Sequence, residues 1–274
     1  MNKINIMEQK KKLYNWNSFF LNLQRKGQYT FTYAEVSSAF NLPENSIAHR
    51  LYIYEKKNRI VKLRKGFYGI LSPESSMHGT FDIYLYVDAL MKSLDKPYYV
   101  ALLSAAALHG AAHQKPQEFF IMTEIPLPRK IHNKKEKITF FGKNTLLQEG
   151  IMQKKSRVGY FNVSTPELTA FDLLDNIKRF GINRITTILQ ELYEEMKVSR
   201  LKKIAQLIDN KASMQRLGYI LETVVGAERL ADSLYKILSK TAFYPVPLSP
   251  VKTRRGTMDS KWKIIINMEI EPDL

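Results

Sequence analysis

The 274-residue sequence predicts an α+β protein in two parts, on three observations. Helical periodicity followed by a short hairpin pattern fills the first 72 residues. Short strand patterns mixed with helices follow in the middle, and a run of helical segments fills most of the last third. Positive charge is gathered in two blocks instead of being spread evenly. The formal net charge is +16. Residues 1–72 hold 13 Lys+Arg against 4 Asp+Glu, and residues 124–157 hold 9 against 3. Clustered positive charge is the electrostatic footprint of a polyanion binder.

Residues 1–12 are polar and end in Lys10-Lys11-Lys12, an arm with too little apolar content to pack. Leu13–Gln24 places Trp16, Phe19, Phe20 and Leu23 at helical spacing, and Gly27 follows where a helix would stop. Thr32 with Glu35 reads as a capping box for a helix over Tyr33–Phe40. The stretch Leu42–Ile70 is the centre of this first part. A helix starts at Pro43, taken as its first position, and Ile47, Leu51 and Tyr54 fall on one face. The exposed side offers Asn45, Ser46, His49, Arg50 and Lys57, groups able to hydrogen-bond base edges and phosphates. Two strands follow, Ile60–Leu63 and Phe67–Leu71, joined around Arg64-Lys65-Gly66. The expected core is Phe19, Leu23, Val36, Phe40, Ile47 and Leu51. Three helices closed by a hairpin with a basic tip are the pattern of a winged helix-turn-helix. There the second helix of the pair enters the major groove, N-terminal residues nearest the bases. Asn45, Ser46, His49 and Arg50 are thus assigned to readout or phosphate contact, and Arg64 and Lys65 to an adjacent groove or the backbone.

Ser72–Thr80, rich in Ser, Pro and Gly, is the expected boundary between a DNA-binding domain, 1–73, and a second domain, 80–274. The second domain is expected to be mixed α/β, a small sheet with a helical bundle. Phe81–Leu94 reads as one helix and Tyr98–Ala112 as another, buried and alanine-rich. Ser104 and His109 on it are five apart and share no face, so they are core polar residues and not a nucleophile pair. Glu118–Thr123 and Ile138–Phe141 read as strands. Between them lies the second basic block, whose Arg129, Lys130, Lys134, Lys135 and Lys137, with His132, are candidates for a second basic surface. Val158–Val163 is a further strand. Thr165-Pro166-Glu167 starts a helix that runs to Gly181. Helical segments follow at about 182–195, 199–210, 214–225 and 227–240, with Ser199 and Ser213 as caps. Phe243–Pro250 is extended, and Arg254-Arg255-Gly256 makes a basic turn that adds Arg254 and Arg255 to the basic surface. Trp262–Ile270 is expected to return as a strand to the sheet of the second domain.

Composition removes several function classes. With no cysteine, disulfides and thiolate metal sites are excluded, which fits a reducing cytoplasm. No apolar run is long enough to span a bilayer, and the N-terminus lacks the apolar core of a secretory signal. No GxxxxGK[ST], HExxH or GxSxG motif is present, and the histidines lack metal-ligand spacing. Glu195-Met196-Lys197 matches half of a nuclease pattern but sits at the end of a helical stretch. No enzyme, metal or cofactor is expected.

The order of RKGFYGIL, YYVALLSAAALHGAA followed by EFFIMT, STPELTAFDLL, and the tail YPVPLSPVKTRRGTMDSKWKIIIN resembles the AbiEi-type antitoxins of type IV toxin–antitoxin and abortive-infection systems. The resemblance runs over almost the whole chain and rests on motif order. It implies an N-terminal winged helix joined to an α/β antitoxin domain. It also implies repression of the chain's own operon through inverted repeats in promoter DNA. The partner gene would encode a nucleotidyltransferase-like toxin, opposed without a stable complex. The competing readings are a winged-helix regulator with a ligand-sensing second domain, and a nuclease.

Overall fold

The computed structural model describes residues 15–72, 81–111, 116–132 and 137–271. The chain divides into two compact units. One comprises Met1–Pro97, Ile131–Glu136 and Lys154–Phe161; the other comprises Tyr98–Lys130, Lys137–Gln153 and Asn162–Leu274. Residues 73–80, which carry most of the expected boundary, lie outside the described residues.

In the first unit, α1 is Trp16–Arg25, capped by the side chain of Asn15, which accepts from the Ser18 N–H at 3.1 Å. Strand β1, Thr30–Thr32, leads into α2, Tyr33–Phe40. The capping box read in the sequence is formed. Glu35 N–H donates to Thr32 Oγ1 at 3.2 Å and Thr32 N–H donates to Glu35 Oε2 at 2.6 Å. Asn41 turns the chain in the left-handed region, φ 45°. Helix α3, Glu44–Lys56, then begins one residue later than expected, with Pro43 as its cap and not its first position. Strands β2, Ile60–Arg64, and β3, Phe67–Ile70, pair antiparallel, and β1 joins to give the order β1-β3-β2. Gly66 turns the hairpin at φ +75°, a conformation open to Gly at little cost. Strand β1 was not read from the sequence, because three residues are too few to show alternation.

The core of this unit is aromatic. The Trp16 ring stacks on Phe40 at 4.5 Å and on Tyr54 at 5.6 Å, and Phe20 meets Phe31 and Tyr54 at 5.5 and 5.2 Å. Val36, Phe40, Ile47 and Leu51 are buried as expected. Phe19 and Leu23 are only partly buried, and Trp16, Phe20 and Phe31 take the centre instead. Burying Trp16, the largest ring on α1, brings Phe20 inward with it and sets the roll of the helix. Further on, Phe81–Leu94 is not one helix. A 3₁₀ turn, Ile83–Leu85, capped by Asp82, precedes α4, Val87–Ser93.

A six-stranded mixed sheet has the order β6-β7-β5-β4-β9-β8. Its strands are β4 Tyr98–Val100, β5 Phe119–Glu124, β6 Ile131–His132, β7 Lys137–Lys143, β8 Ile151–Ser156 and β9 Gly159–Ser164. Strand β5 pairs antiparallel to β4 and parallel to β7, and β4 pairs parallel to β9. The expected helix Tyr98–Ala112 is corrected here. Tyr98-Tyr99-Val100 is a strand, and α5 spans only Leu102–Leu108, after extended Ala101 and Leu102 at φ 55°. Two tyrosines and a valine favour the pleated surface, and pairing with Ile121–Thr123 decides between the two structures. Strand β8 also went unread, since its lysines alternate only weakly with apolar residues.

The helices of the second unit are α6 Pro166–Asp175, α7 Ile177–Phe180, α8 Ile182–Leu192, α9 Val198–Leu207, α10 Lys211–Thr223 and α11 Glu228–Leu238. Thr165 caps α6 and Pro166 takes its first turn, as the sequence implies. Asn210, not Ser213, caps α10, and α9 has no side-chain cap of its own next to it in the chain. The tail corrects the last strand expectation. Only Ile264–Ile266 (β12) is a strand, and it joins β10 Val246–Pro247 and β11 Thr257–Asp259 in a separate three-stranded sheet, order β10-β12-β11.

That small sheet is fastened to α10. Gln215 Nε2 donates to the carbonyls of Tyr244 and Trp262 at 2.9 and 2.8 Å, and Arg216 donates twice to Pro247 O. The Trp262 ring is fully buried over Gly218, and its Nε1 donates to Glu222 Oε2 at 2.6 Å. A Cβ on Gly218 would lie 2.0 Å from the ring. Gly to Ala inside a helix ordinarily stabilises by about 0.5–1 kcal/mol. Gly218→Ala is therefore expected to reverse that sign and lower the thermal midpoint, because the ring must leave its seat. A raised midpoint in a melting scan would contradict the packing described.

Candidate functional site

Two places gather chemistry: the outer face of α3 with the β2–β3 hairpin, and the buried polar centre around α6. On the first, Asn45, Ser46, His49, Arg50 and Lys57 are all exposed, as is Lys65 at the hairpin tip; Arg64 is half-buried. Burial of Ile47 and Leu51, and the contact of Tyr54 with Trp16, turn the polar residues of α3 outward. Tyr52 and Lys56 lie on the same helix and were not among the residues singled out in the sequence. Tyr52 is 57% exposed, with Lys56 Nζ 5.5 Å from its ring centroid. The signal was present in their spacing from Asn45 and His49, but an aromatic residue reads first as core.

The second basic group is more scattered than its sequence suggests. Arg129 and Lys130 are exposed beyond β5. Lys134 and Lys135 lie outside the described residues. Lys137 is drawn into an ion pair, its Nζ 2.5 Å from Glu118 Oε1, and Arg179 reaches the other oxygen of Glu118 at 3.2 Å. The hydrogen bond from Lys137 holds the Glu118 carboxyl below its ordinary range despite partial desolvation. The Arg179 guanidinium also lies over Phe141, Phe120 and Phe180, 5.0 to 5.9 Å from their centroids. Arg254 donates to Pro245 O at 2.9 Å, and Arg255 is exposed.

The buried centre was not legible as a site. Helix α6 is buried from Pro166 through Leu174, including Glu167 and Asp172 at 0% exposure. Asp172 accepts from Tyr99 Oη at 2.9 Å and pairs with Lys143 Nζ at 2.5 Å. Burial pushes the Asp172 carboxyl above the usual carboxylate range, against the pull of Lys143 and Tyr99. Burial works against the Lys143 ammonium too, but Asp172 outweighs it and holds Lys143 above its ordinary value. Desolvation first, then the neighbouring Asp172, drive the Tyr99 hydroxyl well above its normal range, so it stays a donor. We take the pair as charged, because Lys143 retains partial access to water and Asp172 has two donors. At the other end of α6, Glu167 Oε1 accepts from Lys197 N–H, the entry to α9, at 2.7 Å. Its Oε2 lies 3.8 Å from Arg200 Nη1 and has no hydrogen bond.

Ser104 is buried and accepts from Phe120 N–H at 3.0 Å, while His109 Nε2 lies 2.7 Å from Ser164 O. Ser104 is the core polar group the sequence suggested, whereas His109 is only half-buried. Glu195 and Lys197 are exposed at the end of a 3₁₀ turn. Among the described residues no cluster of three His, Asp or Glu could hold a metal ion, and no helix is long and apolar enough to cross a membrane.

Asp172→Ala leaves the Lys143 ammonium and the Tyr99 hydroxyl without their acceptor. The expected cost is about 3–5 kcal/mol in urea unfolding, typical of breaking a buried pair. The double change Asp172→Leu with Lys143→Met should recover most of it. A double variant as unstable as the single one would show that the charges themselves are required.

Residues 99–223 match the family model described as the AbiEi antitoxin C-terminal domain. Among solved structures, the chain is similar to that of the RV2827C protein from Mycobacterium tuberculosis. The TM-score is 0.65 at 14% identity, over 90% of this chain and 89% of that one. At that identity the likeness concerns the fold alone. Among curated proteins none matches. The AbiEi antitoxin family is not a family of enzymes. The segment that carries Tyr99, Lys143, Glu167 and Asp172 is thus similar to the C-terminal domain of the AbiEi antitoxins.

Proposed function

We propose that this chain is an antitoxin and a DNA-binding autorepressor of a type IV system. Residues 1–73 act as a winged helix-turn-helix on inverted repeats in its own promoter. Residues 80–274 counteract a nucleotidyltransferase-like toxin in the cytoplasm without a stable complex. One observation carries the DNA-binding half. Helix α3 follows α2 after a three-residue turn, presents Asn45, Ser46, His49 and Arg50 outward, and leads into a hairpin with Arg64 and Lys65 at its tip. The net +9 of residues 1–72 supplies the attraction to phosphate. The match of residues 99–223 to an antitoxin domain supports the other half. Arg129, Lys130 and Arg255, exposed on the second unit, remain for a second polyanion surface, whereas Lys137 and Arg254 are engaged within the protein.

The full chain is tested on a duplex spanning the region upstream of its own gene and on a scrambled duplex. Arg64→Ala with Lys65→Ala should weaken both duplexes alike. The slope of log affinity against log salt should fall by up to about two units, since each phosphate contact contributes roughly 0.9. His49→Ala should instead weaken the upstream duplex preferentially, by about 1–3 kcal/mol. Protection in cells expressing the toxin should survive all three changes. Wild-type chain that binds neither duplex would refute the repressor reading; loss of protection in the wing variant would refute the division of labour.

A further inference from the structure

We infer that the base-reading edge of this module is the stripe Asn45–His49–Tyr52–Lys56, and that Tyr52 reads the C5-methyl group of thymine in the major groove. The inference rests on the DNA-binding reading above and assigns the residues that do the reading.

The orientation of α3 is fixed from inside. Ile47 and Leu51 are buried at 0% and 2%, and Tyr54 packs on Trp16 and Phe20. At about 100° per residue, these three define the inward direction. Asn45, His49, Tyr52 and Lys56 then cluster about 160° away, almost opposite the core. Ser46, Arg50 and Lys57 fall on one flank, about 90° from the core, and Glu44, Ala48 and Glu55 on the other. The two flanks differ in charge. One carries Arg50 and Lys57 and the other Glu44 and Glu55, all exposed. A helix lying in a groove between two phosphate ridges would turn its cationic flank to one ridge and keep its acidic flank off the other. The stripe between the flanks then points at the groove floor. This divides the polar residues of α3. Arg50 and Lys57 meet phosphate, and the central stripe meets bases.

Tyr52 is the odd member of that stripe. Trp16, Phe20, Phe31, Phe40 and Tyr54 are spent on the core beside it, yet Tyr52 is 57% exposed. Among the described residues its ring meets Lys56 Nζ and no other ring. An apolar ring with a polar tip, held between a polar pair and a lysine, suits a base edge that is itself mixed. Thymine presents a methyl group beside the O4 acceptor in the major groove. The ring would cover the methyl, the Tyr52 hydroxyl or Lys56 would reach an acceptor, and Asn45 and His49 would take the neighbouring bases.

Replacing thymine by uracil removes only the methyl. The full-length protein is titrated with the upstream duplex made with thymine or with uracil. Wild type should prefer thymine by about fourfold for each methyl covered, the worth of one buried carbon. Tyr52→Phe should keep the preference, and Tyr52→Ala should abolish it, whatever binding of the uracil duplex remains. Tyr52 lies outside the aromatic core and is more than half exposed, so the variants should melt close to wild type. A preference that persists in Tyr52→Ala, or is missing from wild type that still binds the upstream duplex over the scrambled one, overturns this inference alone. Wild type that binds neither duplex overturns it together with the repressor reading.

Discussion

A helix sunk in the centre of the second unit must answer for every charge it carries, and this constraint arranges much of what surrounds it. Helix α6 is apolar on most sides but brings Glu167, Asp172 and Asp175 with it. A carboxylate without water is tolerated only where donors surround it. Asp172 therefore requires Tyr99 from β4 and Lys143 from the end of β7, which ties the helix to the sheet at two strands. Glu167 requires the N–H of Lys197 and so places the start of α9 against the first turn of α6. Asp175, exposed at the end of the helix, accepts from Ser213 Oγ at 2.6 Å and Asn210 Nδ2 at 2.8 Å beside the entry to α10. Glu167 and Asp175 act as remote caps: a negative group meets the electropositive beginning of a helix far along the chain.

The family match covers this centre and ends with α10, residue 223. The tail beyond uses α10 as its anchor. Gln215 and Arg216 hold backbone carbonyls of the tail, and Gly218 leaves the space that Trp262 fills. Buried donors satisfied by carbonyls of another segment leave little freedom in register, since a slip would strand them. The small sheet β10-β12-β11 is thus an attachment to the helical part and takes no place in the six-stranded sheet.

The first unit solves a different problem with aromatic area. Trp16, Phe20, Phe31, Phe40 and Tyr54 meet through stacked and edge contacts, and these lock the roll of α3 more tightly than aliphatic packing would. Since the inward face is fixed by Tyr54, the outward one is fixed as well, and its side chains are held at defined angles for a partner. A surface built this way keeps its geometry when individual outward residues change.

Much of the local structure was legible in the sequence. The capping box Thr32–Glu35, the Thr165-Pro166 helix start and the turn at Gly66 are short-range hydrogen-bond and dihedral effects, complete within four residues. The inward face of α3 followed from its period, and the core polar role of Ser104 from its spacing to His109. What escaped was whatever depends on a partner distant in sequence. Tyr98–Val100 became a strand because Ile121–Thr123 was there to pair with it. Lys137 read as free charge until the fold brought Glu118 to it, 19 residues away. Lys143 and Asp172, 29 apart, carried no pattern at all. Trp262 looked like the start of a sheet strand until Gly218 gave it a seat. The sequence by itself determined the elements whose energies are local: caps, turns and amphipathic faces. Only the tertiary structure decided which charges are neutralised and which remain outside, because burial and Coulomb pairing depend on distances that chain spacing does not encode.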